Sequence, residues 1–388
     1  MNWMKSSAIL MALSPMVSAQ AASFEEAMKK STISGQFRLG YISVAADVAG
    51  AKTTTAAAFS GQIRYKTGNW NGFQFAIAPY FSEKLAMLSG DKASSELNGD
   101  FLNANYDSFA YLGEAYAQYQ WKNGNVRFGR QQLETPFINS DDIRILPNTF
   151  NAAWFNMQLG QALSLDAGIV NRWAGFDAGS LDHYIKAKTD GVTAVGINYK
   201  ASDALSAQAW LYDFSREYTL FYTDVSYTRG AFEVAAQYGN YTEQQASNIA
   251  GSMFGLKAAY TIGAVTVSAA MNKATNPAGK SVDHGLGGGD FYTSMDESTI
   301  TGLEGASAQH LALSYVATEK LSVAVVRGHF ENKGKTSSNN DETDINLEYK
   351  INSNMDMGYS YTQLDNKAQP TDDATNFSRH LLRINYVF

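Results

Sequence analysis

The sequence predicts an all-β fold, a transmembrane antiparallel β-barrel of 18 strands with short periplasmic turns and long extracellular loops. Three observations carry that expectation. Apolar and polar residues alternate with a period of two from Thr32 to the C-terminus, the pattern of strands with one apolar and one wet face. Short turns and longer connectors take turns along the chain. The last residue is Phe388, at the end of a segment with apolar residues at every second position. Composition agrees: 45% of residues are apolar, yet mean hydropathy is −0.26, because the two faces of each strand nearly cancel. Past the first 25 residues there is no run of 18 apolar residues, which excludes an α-helical membrane protein. Six prolines and 13% aromatics exclude a disordered chain.

Residues 1–21 read as a secretory signal peptide. Lys5 is the one charge, an apolar stretch runs from Ala8 to Val17, and Val17-Ser18-Ala19 and Ala19-Gln20-Ala21 both fit a small-residue cleavage site. The stretch is about half the length that a spanning helix needs, and it contains Ser14 and Pro15. Removing it leaves 29 basic against 37 acidic residues and no Lys/Arg cluster, so no nucleic-acid partner is expected. Without cysteine, stability in an oxidising compartment must come from packing and hydrogen bonds. Residues 22–388 are expected to form one barrel domain.

The strands can be justified in order. In Thr32 to Ser43 the odd positions Ile33, Phe37, Leu39 and Tyr41 oppose Gln36 and Arg38. Phe59, Ile63 and Tyr65 repeat the pattern against Gln62, Arg64 and Lys66, and a turn over 67–72 leads to Phe73, Phe75 and Ile77. Seven more hairpins follow, about short turns at 122–125, 159–162, 200–204, 229–230, 262–263, 317–320 and 351–354. The longer connectors, near 44–55, 83–109, 132–149, 173–190, 215–219, 242–251, 273–307, 330–341 and 365–377, fall between hairpins and never inside them. One strand at each end and two per hairpin make 18. An even count with short turns on one side is the arrangement of bacterial outer-membrane barrels. Tyr119, Trp121, Tyr199, Tyr227, Tyr260, Tyr315 and Tyr349 stand near the turn ends, as an aromatic girdle requires. A soluble β-sandwich is the competing fold, but it would not concentrate aromatics at strand ends. It would also leave the Phe388 strand as an aggregation-prone edge, which closure onto the first strand removes.

A barrel of this size encloses an aqueous lumen, so inward charges set selectivity. The polar faces place Arg38, Arg64, Lys66, Arg127, Lys257 and Arg383 inward, with Glu114, Asp166, Asp224, Glu233, Glu348 and Asp356. Lipid-facing charge would cost roughly 2–4 kcal/mol at the midplane. Arg383, Arg38 and Arg64 lie on consecutive strands after closure and could form one basic wall, although a mixed polar interior is the ordinary state of any such lumen.

Two loops carry motifs. The third reads Phe128-Gly129-Arg130-Gln131, then Glu134-Thr135-Pro136, then Asp142-Ile143-Arg144-Ile145-Leu146-Pro147. The seventh contains Gly287-Gly288-Gly289-Asp290-Phe291-Tyr292-Thr293. At these residues the chain resembles the OprD-type family of substrate-specific outer-membrane porins, whose third loop carries a GR(Q)…TP…D.R.LP pattern and whose seventh carries GGGD…F/Y-T. The resemblance implies that the loops near 132–149 and 273–307 fold inward to constrict a pore. It also implies that Arg130, Arg144, Asp290 and Tyr292 contact substrate, and that basic wall residues guide carboxylate-bearing solutes. Chemically, a guanidinium offers a carboxylate a two-pronged partner, and an opposing Asp offers one to an ammonium. Arg144 and Asp142 could equally form a loop-stabilising ion pair. The glycine run could equally be a flexible surface loop.

Other chemistry has little support. His183, His284, His310, His329 and His380 are scattered and lie in no nucleophile or metal-binding motif, so neither an enzyme nor a cofactor is expected. The expected function is passive diffusion of small hydrophilic solutes, carboxylate-bearing or zwitterionic, across the outer membrane of a Gram-negative bacterium. A structural or adhesive surface protein with a plugged lumen is the reading from another class. Expected partners are the solutes, outer-membrane lipids and lipopolysaccharide, and the assembly machinery that reads a terminal Phe388. Both a monomer and a homotrimer are compatible with the sequence.

Overall fold

The computed structural model describes residues 23–89, 96–245, 247–334, 338–366 and 376–388. The leader expected over residues 1–21 lies outside them. After a short helix, α1 (Phe24–Lys29), capped by Ser23 and Glu26 in a reciprocal capping box, the chain is almost entirely β. The strands are β1 (Thr32–Ala46), β2 (Thr54–Lys66), β3 (Phe73–Lys84), β4 (Phe109–Trp121), β5 (Gly124–Gln131), β6 (Glu134–Thr135), β7 (Ile138–Asn139), β8 (Thr149–Leu159), β9 (Leu163–Gly175) and β10 (Ser180–Lys186). They continue as β11 (Val192–Lys200), β12 (Leu205–Phe214), β13 (Tyr218–Arg229), β14 (Phe232–Glu243), β15 (Gly251–Ile262) and β16 (Val265–Thr275). The last are β17 (Ser307–Val316), β18 (Leu321–Asn332), β19 (Ser338–Lys350), β20 (Met355–Asn366) and β21 (Phe377–Val387).

Eighteen of these pair antiparallel with their sequence neighbours and close on themselves. The expected strand count and the alternation of turns and loops hold. The three extra strands belong to loops: β6 and β7 form a small hairpin between β5 and β8, and β10 folds back antiparallel on the end of β9. Closure runs through β1 and β21 in register from Gln36 opposite Val387 to Ala46 opposite Phe377. Gly35 and Phe388 exchange backbone hydrogen bonds of 3.0 and 3.1 Å, and the Phe388 ring stacks 5.2 Å from Phe37. The edge that a terminal Phe would expose is thereby removed.

The outer surface carries the apolar face of the alternation. Ile33, Leu39, Phe75, Ile77, Leu211, Leu256, Leu311 and Leu313 are all exposed there, and Phe73, Tyr199, Tyr227, Phe232, Tyr260, Tyr315 and Tyr349 expose their rings near the short turns. The buried core is inside the barrel, because loops fill its mouth. One cluster gathers Phe137, Ile138, Tyr212, Phe214, Tyr222, Leu286 and Phe291, and a second gathers Ile42, Tyr80, Phe101, Ile145 and Leu146. Both join inward-facing strand residues to loop residues.

Candidate functional site

Loop 3, residues 132–148, reaches two opposite sides of the ring. The hairpin of β6 and β7 closes around Pro136-Phe137, where the Thr135 hydroxyl donates to the Ile138 carbonyl and lies on the Ile138 amide, each at 3.0 Å. That turn pushes the Phe137 ring, fully buried, against Tyr212, Tyr222 and Phe291 at 5.8, 5.1 and 5.6 Å. Edge-on aromatic contacts of this kind add about 0.5–1.5 kcal/mol each beyond area burial. The far end of the loop docks on β1 and β2. Arg38 clasps Asp142 with two bonds of 2.6 and 2.7 Å and donates to the Arg144 and Ile145 carbonyls at 2.9 and 3.2 Å. Ser60 donates to the Ile145 carbonyl at 3.2 Å.

Loop 7, residues 276–306, lines the inner wall from β13 round to β21. Tyr218 donates to Asp283 at 2.5 Å, and Asn272 Oδ1 accepts from both the Thr293 amide and its hydroxyl at 3.0 Å. Glu342 accepts the Glu297 and Ser298 amides at 2.9 and 2.7 Å. Asp296 accepts from Ser360 and Arg379, both at 2.7 Å. The Arg379 side chain, 1% exposed, also pairs with Glu297.

The two loops meet as backbone. Asn139 N donates to the Leu286 carbonyl at 3.0 Å and Leu286 N to the Phe137 carbonyl at 2.9 Å. The glycine run makes this approach possible. Gly287 has φ 118°, and a Cβ there would stand 2.3 Å from Asn139 Oδ1, while one on Gly288 would stand 2.6 Å from Asp141 Oδ2. The run is a docked segment here, not a free surface loop.

Between the loops lies a cavity of about 630 Å³. Its walls carry Glu134, Asp141, Asp142 and Asp290 from the loops, with Gln62 and Gln208 from the barrel. Burial raises the Glu134 and Asp290 carboxyls above the usual range, with Asp142 and Asp224 adding repulsion respectively. Asp141 is pushed up to about 7 by burial and then by the negative charge of Asp177, in the loop between β9 and β10.

Each residue singled out in the sequence has a definite place. Arg38, 4% exposed, is spent on loop 3. Arg64 pairs with the buried Glu114, which also accepts from Tyr80 at 2.8 Å. Lys257 pairs with Glu233 at 2.9 Å. Arg127 lies over the Tyr116 ring at 5.6 Å, and Lys66 stands within electrostatic reach of Arg127 and Arg64. Among the described residues neither Arg127 nor Lys66 has an ion-pair partner. Arg383 donates to the Asp142 carbonyl at 2.7 Å and shares a second pocket with Asn385, Asp356 and Glu348. Arg130 stacks on Tyr184 at 4.6 Å and donates to the Leu112 carbonyl at 2.9 Å. Asp290 accepts from Tyr222 at 3.3 Å, and the Tyr292 hydroxyl donates to Asp224. Burial, then Asp224, raises the Tyr292 hydroxyl above its ordinary range.

Arg144 and Asp142 do not pair with each other. Asp142 belongs to Arg38, whereas Arg144, 3% exposed, joins Asp100 of loop 2 at 3.1 Å to Glu297 of loop 7 at 2.7 Å. Its guanidinium also lies 4.6 Å over the Phe176 ring of loop 4. Arg379 escaped the sequence reading, although it shares its parity with Arg383 and so its inward face. Asp141 escaped because nothing in the sequence shows that it lines the cavity between two loops.

Comparison with known proteins accords with this architecture. Residues 67–355, well over half of the chain, match the family described as outer membrane porin, OprD family. No curated protein sequence matches. Among solved structures, Acinetobacter baumannii OccAB4 superposes with a TM-score of 0.78 at 14% identity, over 95% of this chain and 99% of that one. A BenF-like porin from Pseudomonas fluorescens Pf-5 gives 0.79 at 14% identity, over 93% and 99%. Pseudomonas aeruginosa OpdK, solved with vanillate, gives 0.77 at 16% identity, also over 93% and 99%.

Proposed function

Since the chain belongs to the OprD family of outer-membrane porins, we propose that it admits small carboxylate-bearing or zwitterionic solutes, amino acids, organic acids and small peptides among them, by passive diffusion through a constriction made by loops 3 and 7. The observation that carries this reading is a division of charge inside the barrel. The cavity between the loops presents carboxyls, whereas Lys66, Arg127 and Arg383 on the wall hold cations free of side-chain ion pairs among the described residues. A zwitterion can turn its ammonium to the loop face and its carboxylate to the wall, replacing part of its hydration at both ends.

The neutralised arginines matter as much as the free ones. Arg38, Arg64 and Arg144 are each committed to a carboxylate, so they shape the channel and leave attraction to Lys66, Arg127 and Arg383. Arg130, stacked on Tyr184, serves the same structural end at loop 4. Asp290 and Tyr292 present the loop 7 side of the path.

Planar-bilayer recording tests the channel itself. Liposome swelling with amino acids, organic acids and neutral sugars of matched size tests the solute class. Faster entry of the carboxylates than of the sugars supports the reading, and equal rates overturn it.

A further inference from the structure

Between the docked end of loop 3 and the short turns, the wall formed by β19, β20 and β21 carries a second cavity, of about 600 Å³. Two contacts fix its residues as inward: Arg383 Nη1 donates to the Asp142 carbonyl at 2.7 Å, and Asn385 Oδ1 accepts from Arg38 Nε at 2.7 Å. Residues directly opposite each other on paired strands share a face, so register places the rest. Glu348 lies opposite Gly358, and Gly358 lies opposite Arg383. A carboxylate and a guanidinium therefore flank a glycine, their backbones two strand spacings, about 9.5 Å, apart.

The glycine keeps the space between them open. No positive φ calls for glycine at 358, and a Cβ there would meet nothing within 4 Å. Neither flanking charge is spent. Among the described residues Glu348 makes no side-chain hydrogen bond or ion pair, and Arg383 gives only Nη1, to the Asp142 and Arg144 carbonyls. Loop 3 thus orients Arg383 without neutralising it. Asp356 is different, because it accepts from Asn385 at 2.6 Å. The charged groups lining the cavity are Glu319, Lys320, Glu348, Lys350, Asp356 and Arg383, three of each sign. With no net charge, the cavity offers little to a simple ion, whereas a solute carrying both charges can engage Glu348 and Arg383 together.

Resting on the channel reading above, we propose that Glu348, Gly358 and Arg383 form a second solute subsite, on the short-turn side of loop 3, for zwitterionic amino acids. Glu348 takes the ammonium, Arg383 takes the carboxylate with its open donors, and Gly358 makes room for the atoms between. Glu348 is then the residue that separates a zwitterion from a simple carboxylate of the same size. The subsite shares no lining residue with the cavity between loops 3 and 7.

The test uses the full-length protein in liposomes, with initial rates of entry of radiolabelled alanine, lactate and glycerol, solutes of similar size. Each rate is taken relative to glycerol in the same preparation, which cancels the number of inserted pores. Glu348→Gln lowers the alanine-to-glycerol ratio about two- to fivefold, the scale of one exposed charge pair, and does not lower the lactate-to-glycerol ratio. Glu348→Asp, which keeps the charge, retains most of the alanine ratio. Gly358→Leu lowers the alanine ratio over the same range with every charge in place, and it decides the matter alone if Glu348→Gln does not insert. An alanine ratio unchanged in Glu348→Gln or in Gly358→Leu overturns the inference, as does an equal loss of alanine and lactate in Glu348→Gln. A wild type that admits none of the three solutes overturns the channel reading instead, and one that carries alanine and lactate no faster than glycerol overturns the solute class.

Discussion

Arg38 of β1 grips Asp142 of loop 3 through two bonds, 2.6 and 2.7 Å, with the Arg38 side chain 4% exposed and the Asp142 side chain 38% exposed. A residue that reads in the sequence as part of an attractive wall is thus the anchor of loop 3. The burial decides between those roles: a guanidinium with its donors already committed has little left for a solute.

Removing that anchor should loosen the loop. Arg38→Ala is expected to cost about 1–3 kcal/mol, the range for a lost charged hydrogen-bond group with one partner still wet. Single-channel conductance should rise and become noisier as loop 3 leaves the lumen. Recording Arg38→Ala beside Asp142→Asn checks this, and conductance unchanged in both would refute the anchoring role.

Gly287 makes a second, independent prediction. With φ 118° and a Cβ position 2.3 Å from Asn139 Oδ1, Gly287→Ala must separate loop 7 from loop 3, at a local cost of about 1–3 kcal/mol. Sugars excluded by the wild type should then enter liposomes. If the size cut-off stays where it was, the glycine run does not brace the constriction.

Free and committed cations should respond differently. Replacing Lys66 or Arg127 by Ala removes on the order of 0.5–1 kcal/mol of attraction for a carboxylate, or about two- to fivefold in flux, with neutral solutes unaffected. Arg144→Ala should instead alter carboxylate and neutral flux alike, because Arg144 ties loops 2, 3 and 7 together. Swelling rates for matched solutes separate the two patterns.

The hold of Asp296 on β20 and β21 should survive mild acid. Burial opposes ionisation of Asp296, but Arg379 beside it, Ser360 and Arg144 outweigh that and hold its carboxyl below the usual carboxylate range. A carboxylate shifted down contributes stability above its unfolded value, and loses it only as pH falls through the lower folded value. The part of the conductance that depends on the Asp296 contacts should therefore stay constant from neutral pH down to about pH 4 and change only in stronger acid. Asp296→Asn should show the altered conductance at every pH. A transition in the wild type between pH 5 and 6 would contradict this.

How much of this could be read in advance follows from periodicity. Outward residues such as Leu311, Leu313 and Tyr315 announce their strand because lipid demands an apolar residue at every second position. The β12 strand is less transparent: Leu205, Ala207 and Leu211 face out while Trp210, Tyr212 and Phe214 are buried within, so both faces are apolar. The inner aromatics are there to receive Phe137 and loop 7, a demand invisible in local sequence. Parity with Arg383 and Glu348 could have marked Arg379, Glu342 and Asp344 as inward, where they lie buried in β19 and β21, but parity is silent on what meets them.

The sequence by itself determined the barrel: the strand count, the short turns, the closure through Phe388 and the inward placement of the charges all follow from a period of two and the solvent on each side. Only the tertiary structure decided which charges remain free. Arg38 meeting Asp142, and Arg144 meeting Asp100 and Glu297, are encounters between segments far apart in the chain. They are set by where two long loops come to rest inside a closed ring, and pattern along a strand carries no record of that.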